Sequence, residues 1–147
     1  EKSAGVPPLG VCRVENRRDR DLWEAVSFSG FDFTPDTKQQ FHRFVSAFDL
    51  GENSRYKLLL GRIGATAVAT AMLFVEKNGC GIYFLTTSAD NRKRGIGLAM
   101  TQAAIRAAKK YGAGFAALQS SPDGYRMYRR AGFEERCRVD VYGRQDA

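Results

Sequence analysis

Residues 86–97 run Thr86-Thr87-Ser88-Ala89-Asp90-Asn91-Arg92-Lys93-Arg94-Gly95-Ile96-Gly97, and they join two segments with different hydrophobic periods. Before them, residues 81–86 form a short apolar run that predicts a buried strand. After them, apolar residues recur at helical spacing over 96–111, and Gly112 predicts the end of that helix. The sequence therefore predicts a strand, a glycine-containing loop and a long helix in succession.

The loop between these segments has the composition of an anion-binding site. Arg92, Lys93 and Arg94 supply positive charge, and Gly95 and Gly97 would let the backbone approach a ligand closely. The start of a helix adds free N–H groups and the positive end of the helix dipole. We therefore predict a phosphate site, although so short a pattern also occurs at ordinary helix starts. It is neither a P-loop nor a dinucleotide-binding loop, because the glycine spacing and the position in the chain differ from both.

The segments on either side predict one α/β (α+β) domain over residues 1–147. Strands are predicted at 10–15, 56–60, 65–75 and 81–86, and helices at 18–28 and 35–48. After the helix at 96–111 we predict a buried strand at 114–119, a helix at 121–130 and a last strand at 133–142. The order β-α-α-β-β-β-α-β-α-β predicts a mixed sheet, parallel where a helix crosses between strands.

Composition narrows the class of protein. The chain has 147 residues, 44% of them hydrophobic, which is typical of a folded soluble domain. No apolar run approaches the ~20 residues that a bilayer-spanning helix needs, so we expect no membrane segment. The first residue is not Met, which leaves a further upstream domain open. The three cysteines are far apart and there is one histidine, which predicts no metal site and a cytoplasmic location.

The net charge of +7 is unevenly distributed. Residues 1–91 hold 11 basic and 11 acidic side chains, whereas residues 92–147 hold 12 basic and 5 acidic ones. A basic half could bind nucleic acid or a small ligand with several phosphates. The helix at 96–111 is rich in alanine and lacks the exposed basic and amide side chains of a recognition helix. We therefore expect a small anionic ligand and no nucleic acid.

Two motifs together resemble those of the GCN5-related N-acetyltransferases (GNATs). Arg92-x-x-Gly95-x-Gly97, between a strand and a long helix, resembles the cofactor motif of that family. Tyr128-Arg129-Arg130-Ala131-Gly132-Phe133 is similar to the Tyr-x-x-x-Gly-Phe that follows it in relatives. The resemblance covers residues from about Arg55 to Val141. It implies the GNAT fold, with acetyl-CoA as the acetyl donor and an amine as the acceptor.

The resemblance also implies the residues that would hold the cofactor. Backbone groups of the strand at 82–86 would pair with the pantetheine arm, with Leu85, Thr86 and Thr87 closest, and an N–H near Leu85 would polarise the thioester carbonyl. Backbone amides at the helix start would bind the pyrophosphate, and residues after the next strand would line the opposite wall. The implied cofactor-binding residues are Leu85, Thr86, Thr87, Arg92, Lys93, Arg94, Gly95, Ile96, Gly97, Leu98, Gln119, Ser120 and Ser121.

The same resemblance makes Tyr128 the general acid that protonates the departing thiolate. A tyrosine with a pKa of ~10 is protonated at neutral pH, as this role requires. The alternative is that Tyr128 belongs to the inner face of an amphipathic helix and has no chemical role. No general base is assigned, and water could take the proton of the amine. The candidates for the general base are four acidic residues and the single histidine: Glu76, Asp49, Glu52, Asp32 and His42.

The acceptor is expected between the first two helices and the strands facing them. These segments are rich in phenylalanine and carry scattered acids, which favours an amine, on a small molecule or a peptide, beside an apolar group. A domain that binds acyl-CoA as a sensor without turnover is the main alternative. The resemblance also leaves a homodimer open.

Overall fold

The computed structural model of the chain describes residues 8–31 and 33–143. Within those ranges the order of elements is β-α-α-β-β-β-α-β-α. The strands are β1 (Gly10–Arg13), β2 (Tyr56–Ile63), β3 (Thr66–Val75), β4 (Gly79–Thr87) and β5 (Phe115–Ala117). The helices are α1 (Arg17–Gly30), α2 (Lys38–Ser46), α3 (Ile96–Lys110) and α4 (Tyr125–Arg130). No helix in these ranges is both long enough and apolar enough to cross a membrane.

The strands form one mixed sheet in the order β1-β2-β3-β4-β5. Each pair from β1 to β4 is antiparallel, whereas β4 and β5 are parallel. A parallel pair needs a long crossover connection, and α3 supplies it. The mixed α+β sheet predicted from the sequence is confirmed.

The sheet separates two hydrophobic cores, because neighbouring residues of a strand point to opposite faces. In β2, Leu58 and Leu60 pack with Trp23 of α1. Leu59, between them, packs with Met100 of α3 on the other face. None of these five side chains is more than 3% exposed. Helices α1 and α2 therefore cover one face of the sheet, and α3 covers the other.

The predicted end of the long helix at Gly112 is confirmed. The N–H of Gly112 donates to the carbonyl of Lys109 at 3.0 Å, and that of Ala113 donates to Ala108 at 3.1 Å. This hydrogen-bond pattern closes a helix when the residue after it is left-handed. Gly112 has a φ of 87°, and glycine adopts that angle without the strain that a Cβ would cause.

The last strand predicted at 133–142 is wrong, since residues 134–143 lie outside any helix or strand. Val139 is 57% exposed and Val141 is 90% exposed. Alternation of apolar and polar residues specifies a strand only where one face is buried, and no described element covers these valines. The charged residues of the segment pair locally instead, Arg136 with Glu134 and Arg138 with Glu135.

The strand predicted at 114–119 and the helix predicted at 121–130 are both shorter in the structure. Strand β5 has three residues rather than the buried run at 114–119, and Phe115 is 64% exposed because β5 is the edge of the described sheet. Helix α4 begins at Tyr125 rather than at 121. The preceding residues form a turn, in which the N–H of Gly124 donates to the carbonyl of Ser121 at 3.1 Å.

Candidate functional site

Strand β4 carries a β-bulge shortly before it ends. Its pairing with β3 passes from Met72↔Tyr83 to Thr70↔Thr86, so Phe84 and Leu85 together lie opposite one residue of β3. Phe84 has a φ of 48°, which is unusual for a residue with a Cβ. A bulge bends its strand and redirects the residues beside it. The bulge therefore sets the direction of the last residues of β4.

A pair of buried hydroxyl groups holds the bulge. The Ser27 Oγ of α1 donates to Thr70 Oγ1 at 3.0 Å, and Thr70 Oγ1 donates to the carbonyl of Phe84 at 2.8 Å. Both hydroxyl residues are fully buried. Neither residue is among the functional residues predicted from the sequence. The available signal was a threonine inside the apolar run at 67–73, where a hydroxyl without a partner would be costly.

Replacing Thr70 by valine tests this contact. Thr70→Val keeps the shape of the side chain but leaves the Phe84 carbonyl and the Ser27 hydroxyl without their partner. We expect the free energy of unfolding to fall by about 1–3 kcal/mol, as for other buried polar groups that lose a partner. Urea denaturation would measure the change. Thr70→Ser, which keeps the hydroxyl, is the control and should lose less; equal losses in both variants would contradict the assignment.

Most of the backbone edge of β4 on the side of β5 is not paired with another strand. The ladder between the two strands runs only from Gly79↔Phe115 to Gly81↔Ala117, although β4 continues to Thr87. Backbone groups along the rest of that edge are therefore free to pair with an extended ligand. The chain continues past β5 through Gln119, Ser120 and Ser121, which are exposed.

The side chains of Thr86 and Thr87 point into the protein, each being 9% exposed. A Cβ built on Gly30 would lie 2.7 Å from Thr86 Cγ2, so the end of α1 packs directly on Thr86. Leu85 is half-buried and packs against the core on the α3 side. These three residues can therefore offer backbone groups to a ligand, as the sequence analysis expects of them.

The start of α3 presents a run of backbone N–H groups, here called the amide loop (residues 93–98). The N–H of Ala99 is the first to donate within the helix, to the carbonyl of Gly95 at 3.0 Å. Among residues 8–31 and 33–143, no protein group accepts from the six N–H groups of the amide loop. Helix α3 has 15 residues, so its dipole adds a positive field at this end. The geometry suits a phosphate group.

Two left-handed residues shape the amide loop. Gly95 has a φ of 78° and Lys93 a φ of 57°. Such angles turn successive N–H groups toward one side of the chain, which is the concave arrangement that binds anions. The exposed Arg94 donates from Nη1 to Asn91 Oδ1 at 2.8 Å, which ties the side of the loop to the turn before it.

The guanidinium of Arg92 also contacts the protein itself. It donates to two carbonyls, Gly30 at 2.6 Å and Thr87 at 3.3 Å. Its backbone N–H donates to Ala89 at 3.3 Å. A cation at the carboxyl end of α1 is favourable for the helix dipole. Arg92 therefore joins α1 to the end of β4, and like Lys93 and Arg94 it remains exposed.

Gly97 also has a role that the sequence did not indicate. A Cβ built on it would lie 2.8 Å from Met127 Sδ and 3.6 Å from Thr87 Oγ1. The absence of a side chain therefore lets α4 approach the start of α3. Tyr128 is the next residue of α4 after Met127.

Tyr128 is half-buried in α4, and its ring packs edge-on against Phe133 with the centroids 6.0 Å apart. Burial raises the pKa of Tyr128 above its ordinary value, because the charged phenolate is disfavoured away from water. Its neighbour Tyr125 is exposed and donates its hydroxyl to Glu135 at 2.9 Å. Tyr128 thus keeps its proton at neutral pH and is placed by packing.

Most of the candidate general bases are bonded to other groups of the protein. Glu76 pairs with Arg55 at 2.7 Å beside the start of β4, about 20 Å from Leu85 at the length of an extended strand. Asp49 accepts from the N–H of Gly51 in a loop, and His42 pairs with Glu24 at 2.9 Å. Asp32 lies outside the described residues.

The same loop that contains Asp49 also holds Glu52, whose backbone carbonyl accepts from Lys57 Nζ near the start of β2. No cluster of three or more metal-binding side chains occurs in the described ranges. No base is therefore assigned from the described residues.

The family of the chain follows from a sequence comparison. The family model described as "Acetyltransferase (GNAT) domain" matches residues 31–142, which is more than half of the chain. The chain belongs to the GNAT acetyltransferase family. The matched range includes the bulge, the open edge of β4, the amide loop and Tyr128. Among curated proteins, none matches this GNAT domain significantly.

Solved structures confirm the predicted GNAT fold. Glucosamine-6-phosphate N-acetyltransferase from Arabidopsis thaliana has a TM-score of 0.71 and 13% identity, over 95% of this chain and 99% of that chain. The aminoglycoside N-acetyltransferase AAC(6')-Iy in complex with CoA has a TM-score of 0.75 and 15% identity, over 94% and 95%. A protein from Clostridium acetobutylicum described as a predicted acetyltransferase, solved with acetyl-CoA, has a TM-score of 0.71 and 16% identity, over 92% and 96%. At these identities the likeness shows the fold.

Proposed function

We propose that this GNAT domain transfers an acetyl group from acetyl-CoA to the primary amine of a small molecule or peptide. The observation that carries the proposal is the amide loop beside the open edge of β4, whose six N–H groups have no acceptor within the described part of the chain. A diphosphate with an extended, amide-containing arm matches both features. Two of the solved GNAT structures similar to this chain hold CoA or acetyl-CoA.

The proposed roles follow the position of each group. The amide loop and the exposed cations Lys93 and Arg94 bind the pyrophosphate. Backbone groups from Leu85 to the end of β4 pair with the pantetheine arm, while Gln119, Ser120 and Ser121 face it from the other side. Acetyl-CoA supplies an acetyl group activated as a thioester. Arg92, whose guanidinium is already bound to carbonyls, acts by holding α1 against the loop.

In the reaction, the nitrogen of the neutral amine forms a bond to the acetyl carbon, and the carbon–sulfur bond breaks with its electron pair left on sulfur. Tyr128 Oη gives its proton to the sulfur and regains one from solvent. The nitrogen loses one proton, which water accepts, because no described side chain is assigned as the base. An N–H near Leu85 would stabilise the negative charge that develops on the carbonyl oxygen, a contribution of ~3–4 kcal/mol for one such donor.

The proposal is tested by measuring acetyl-CoA binding by calorimetry and free CoA release with a panel of amines, amino acids and peptide N-termini. We expect binding and amine-dependent release of CoA. Binding without release for every amine would instead indicate an acyl-CoA sensor. Tight, salt-sensitive binding of DNA without binding of acetyl-CoA would overturn the proposal.

A further inference from the structure

Three phenylalanines form a partly exposed surface beside the bulge, here called the aromatic wall (Phe31, Phe44 and Phe84). The ring of Phe84 lies 5.8 Å from that of Phe31 and 5.6 Å from that of Phe44, measured between centroids. Phe31 is 42% exposed and Phe44 is 44% exposed. Apolar rings are thus open to solvent on the α1 and α2 side of the sheet.

The aromatic wall is supported from behind by buried rings. Trp23, fully buried, lies 5.8 Å from Phe84 edge-on, and Phe41, 8% exposed, lies 5.9 Å from it. These contacts, with the Thr70 hydroxyl on its carbonyl, hold Phe84 in place. The wall is therefore a fixed surface, which loses little conformational entropy when a ligand binds.

The aromatic wall lies next to the proposed site of acetyl transfer. Phe84 and Leu85 are consecutive residues of the bulge, so their Cα atoms are about 3.8 Å apart. Leu85 begins the part of β4 that is proposed to pair with the donor. A molecule whose amine reaches the acetyl carbon there would have its remaining part against Phe84, Phe31 and Phe44.

The chemistry of the wall defines the acceptor. The rings that pack around Phe84 belong to Trp23, Phe31, Phe41 and Phe44, so its described surroundings on this side are aromatic and apolar. Glu24, the acidic residue of α1 that faces α2, is already paired with His42 at 2.9 Å. Aromatic faces bind apolar rings and attract a single ammonium group.

We propose that the aromatic wall binds the apolar body of the acceptor, and that the substrate is a primary amine on a short chain ending in an aromatic ring. This inference rests on the proposed acetyl transfer and specifies its acceptor. A contact between two copies of the chain is the competing use of such a surface.

The test compares 2-phenylethylamine with ethylamine and spermidine as acceptors, by release of CoA. We expect kcat/KM for 2-phenylethylamine to exceed that for ethylamine by about tenfold or more, since a buried apolar group gives discrimination of this order. Phe44→Ala should reduce that preference about fivefold, in line with the loss of one aromatic contact. Phe115→Ala is the matched control. It removes an exposed phenylalanine of β5 that lies beside Gly79, at the end of β4 far from the wall.

A second readout is the fluorescence of Trp23, the single tryptophan, during titration with 2-phenylethylamine in the presence of CoA. Equal or better use of spermidine or ethylamine, with no effect of Phe44→Ala, would overturn the inference and leave the acetyltransferase proposal intact. Absence of acetyl-CoA binding would instead remove the proposed function itself. If Phe44→Ala converts a dimer into a monomer in light scattering without changing the preference among amines, the wall is a contact between copies.

Discussion

Tyr128→Phe is expected to lower kcat by about 10²–10⁴-fold, the contribution of a positioned general acid. The substitution removes one hydroxyl and keeps the ring that packs on Phe133. Acetyl-CoA binding should change little, because the proposed contacts to the cofactor come from β4 and the amide loop. The measurement is the steady-state release of CoA, with calorimetry for the affinity.

Tyr125→Phe is the matched control in the same helix. Its hydroxyl donates to Glu135 on the surface, away from the packed face of α4, so its loss should leave kcat within about twofold. Turnover unchanged by Tyr128→Phe would show that Tyr128 only fills the inner face of α4.

The raised pKa of Tyr128 gives a separate, spectroscopic prediction. Burial disfavours the phenolate, so the folded-state pKa lies above the unfolded value of about 10, and the proton is lost only as pH rises beyond that point. In an ultraviolet titration, the wild type should show the ionisation of one more phenol than Tyr128→Phe does. That phenol should ionise above pH ~10. Ionisation of that phenol near pH 8 would contradict the assignment of a protonated acid at neutral pH.

Gly95→Ala is expected to weaken acetyl-CoA binding by about 5–30-fold, which corresponds to 1–2 kcal/mol. Gly95 has a φ of 78°, where a Cβ costs roughly that much, so the loop would leave the observed conformation for most of the time. The apparent dissociation constant rises as the binding-competent fraction falls. Calorimetric titration with acetyl-CoA and with CoA measures the change.

Gly112→Ala provides the control at the other end of the same helix. Gly112 has a φ of 87° and nothing within 4 Å of a Cβ built on it, so the variant introduces similar strain without touching the amide loop. Both variants should lose similar stability toward urea, and only Gly95→Ala should lose affinity. Equal affinity losses in the two would indicate a general effect of destabilised α3.

Features set by local patterns were predictable from the sequence. The strand before residue 87, the helix after residue 95 and the end of α3 at Gly112 depend on hydrophobic period and glycine positions within a few residues. The amide loop follows from the same short stretch, because free N–H groups at a helix start need no distant partner.

Features that depend on distant contacts were not predictable. The bulge at Phe84 needs hydroxyls from Ser27 and Thr70, and the position of the Arg92 guanidinium depends on the Gly30 carbonyl. The strand predicted at 133–142 is wrong for the same reason. The segment has the alternation of apolar and polar residues, but a strand also needs another part of the fold to pack on its apolar face, and the local sequence does not show this.

Binding of the pyrophosphate by the amide loop is tested by titrating the ¹⁵N-labelled chain with CoA and recording ¹H–¹⁵N correlation spectra. We expect the largest shift changes at the amides of residues 93–98, followed by those of β4 after the bulge. Saturable binding with the changes confined to other parts of the chain, or no binding of CoA at all, would contradict the claim that the amide loop holds the pyrophosphate.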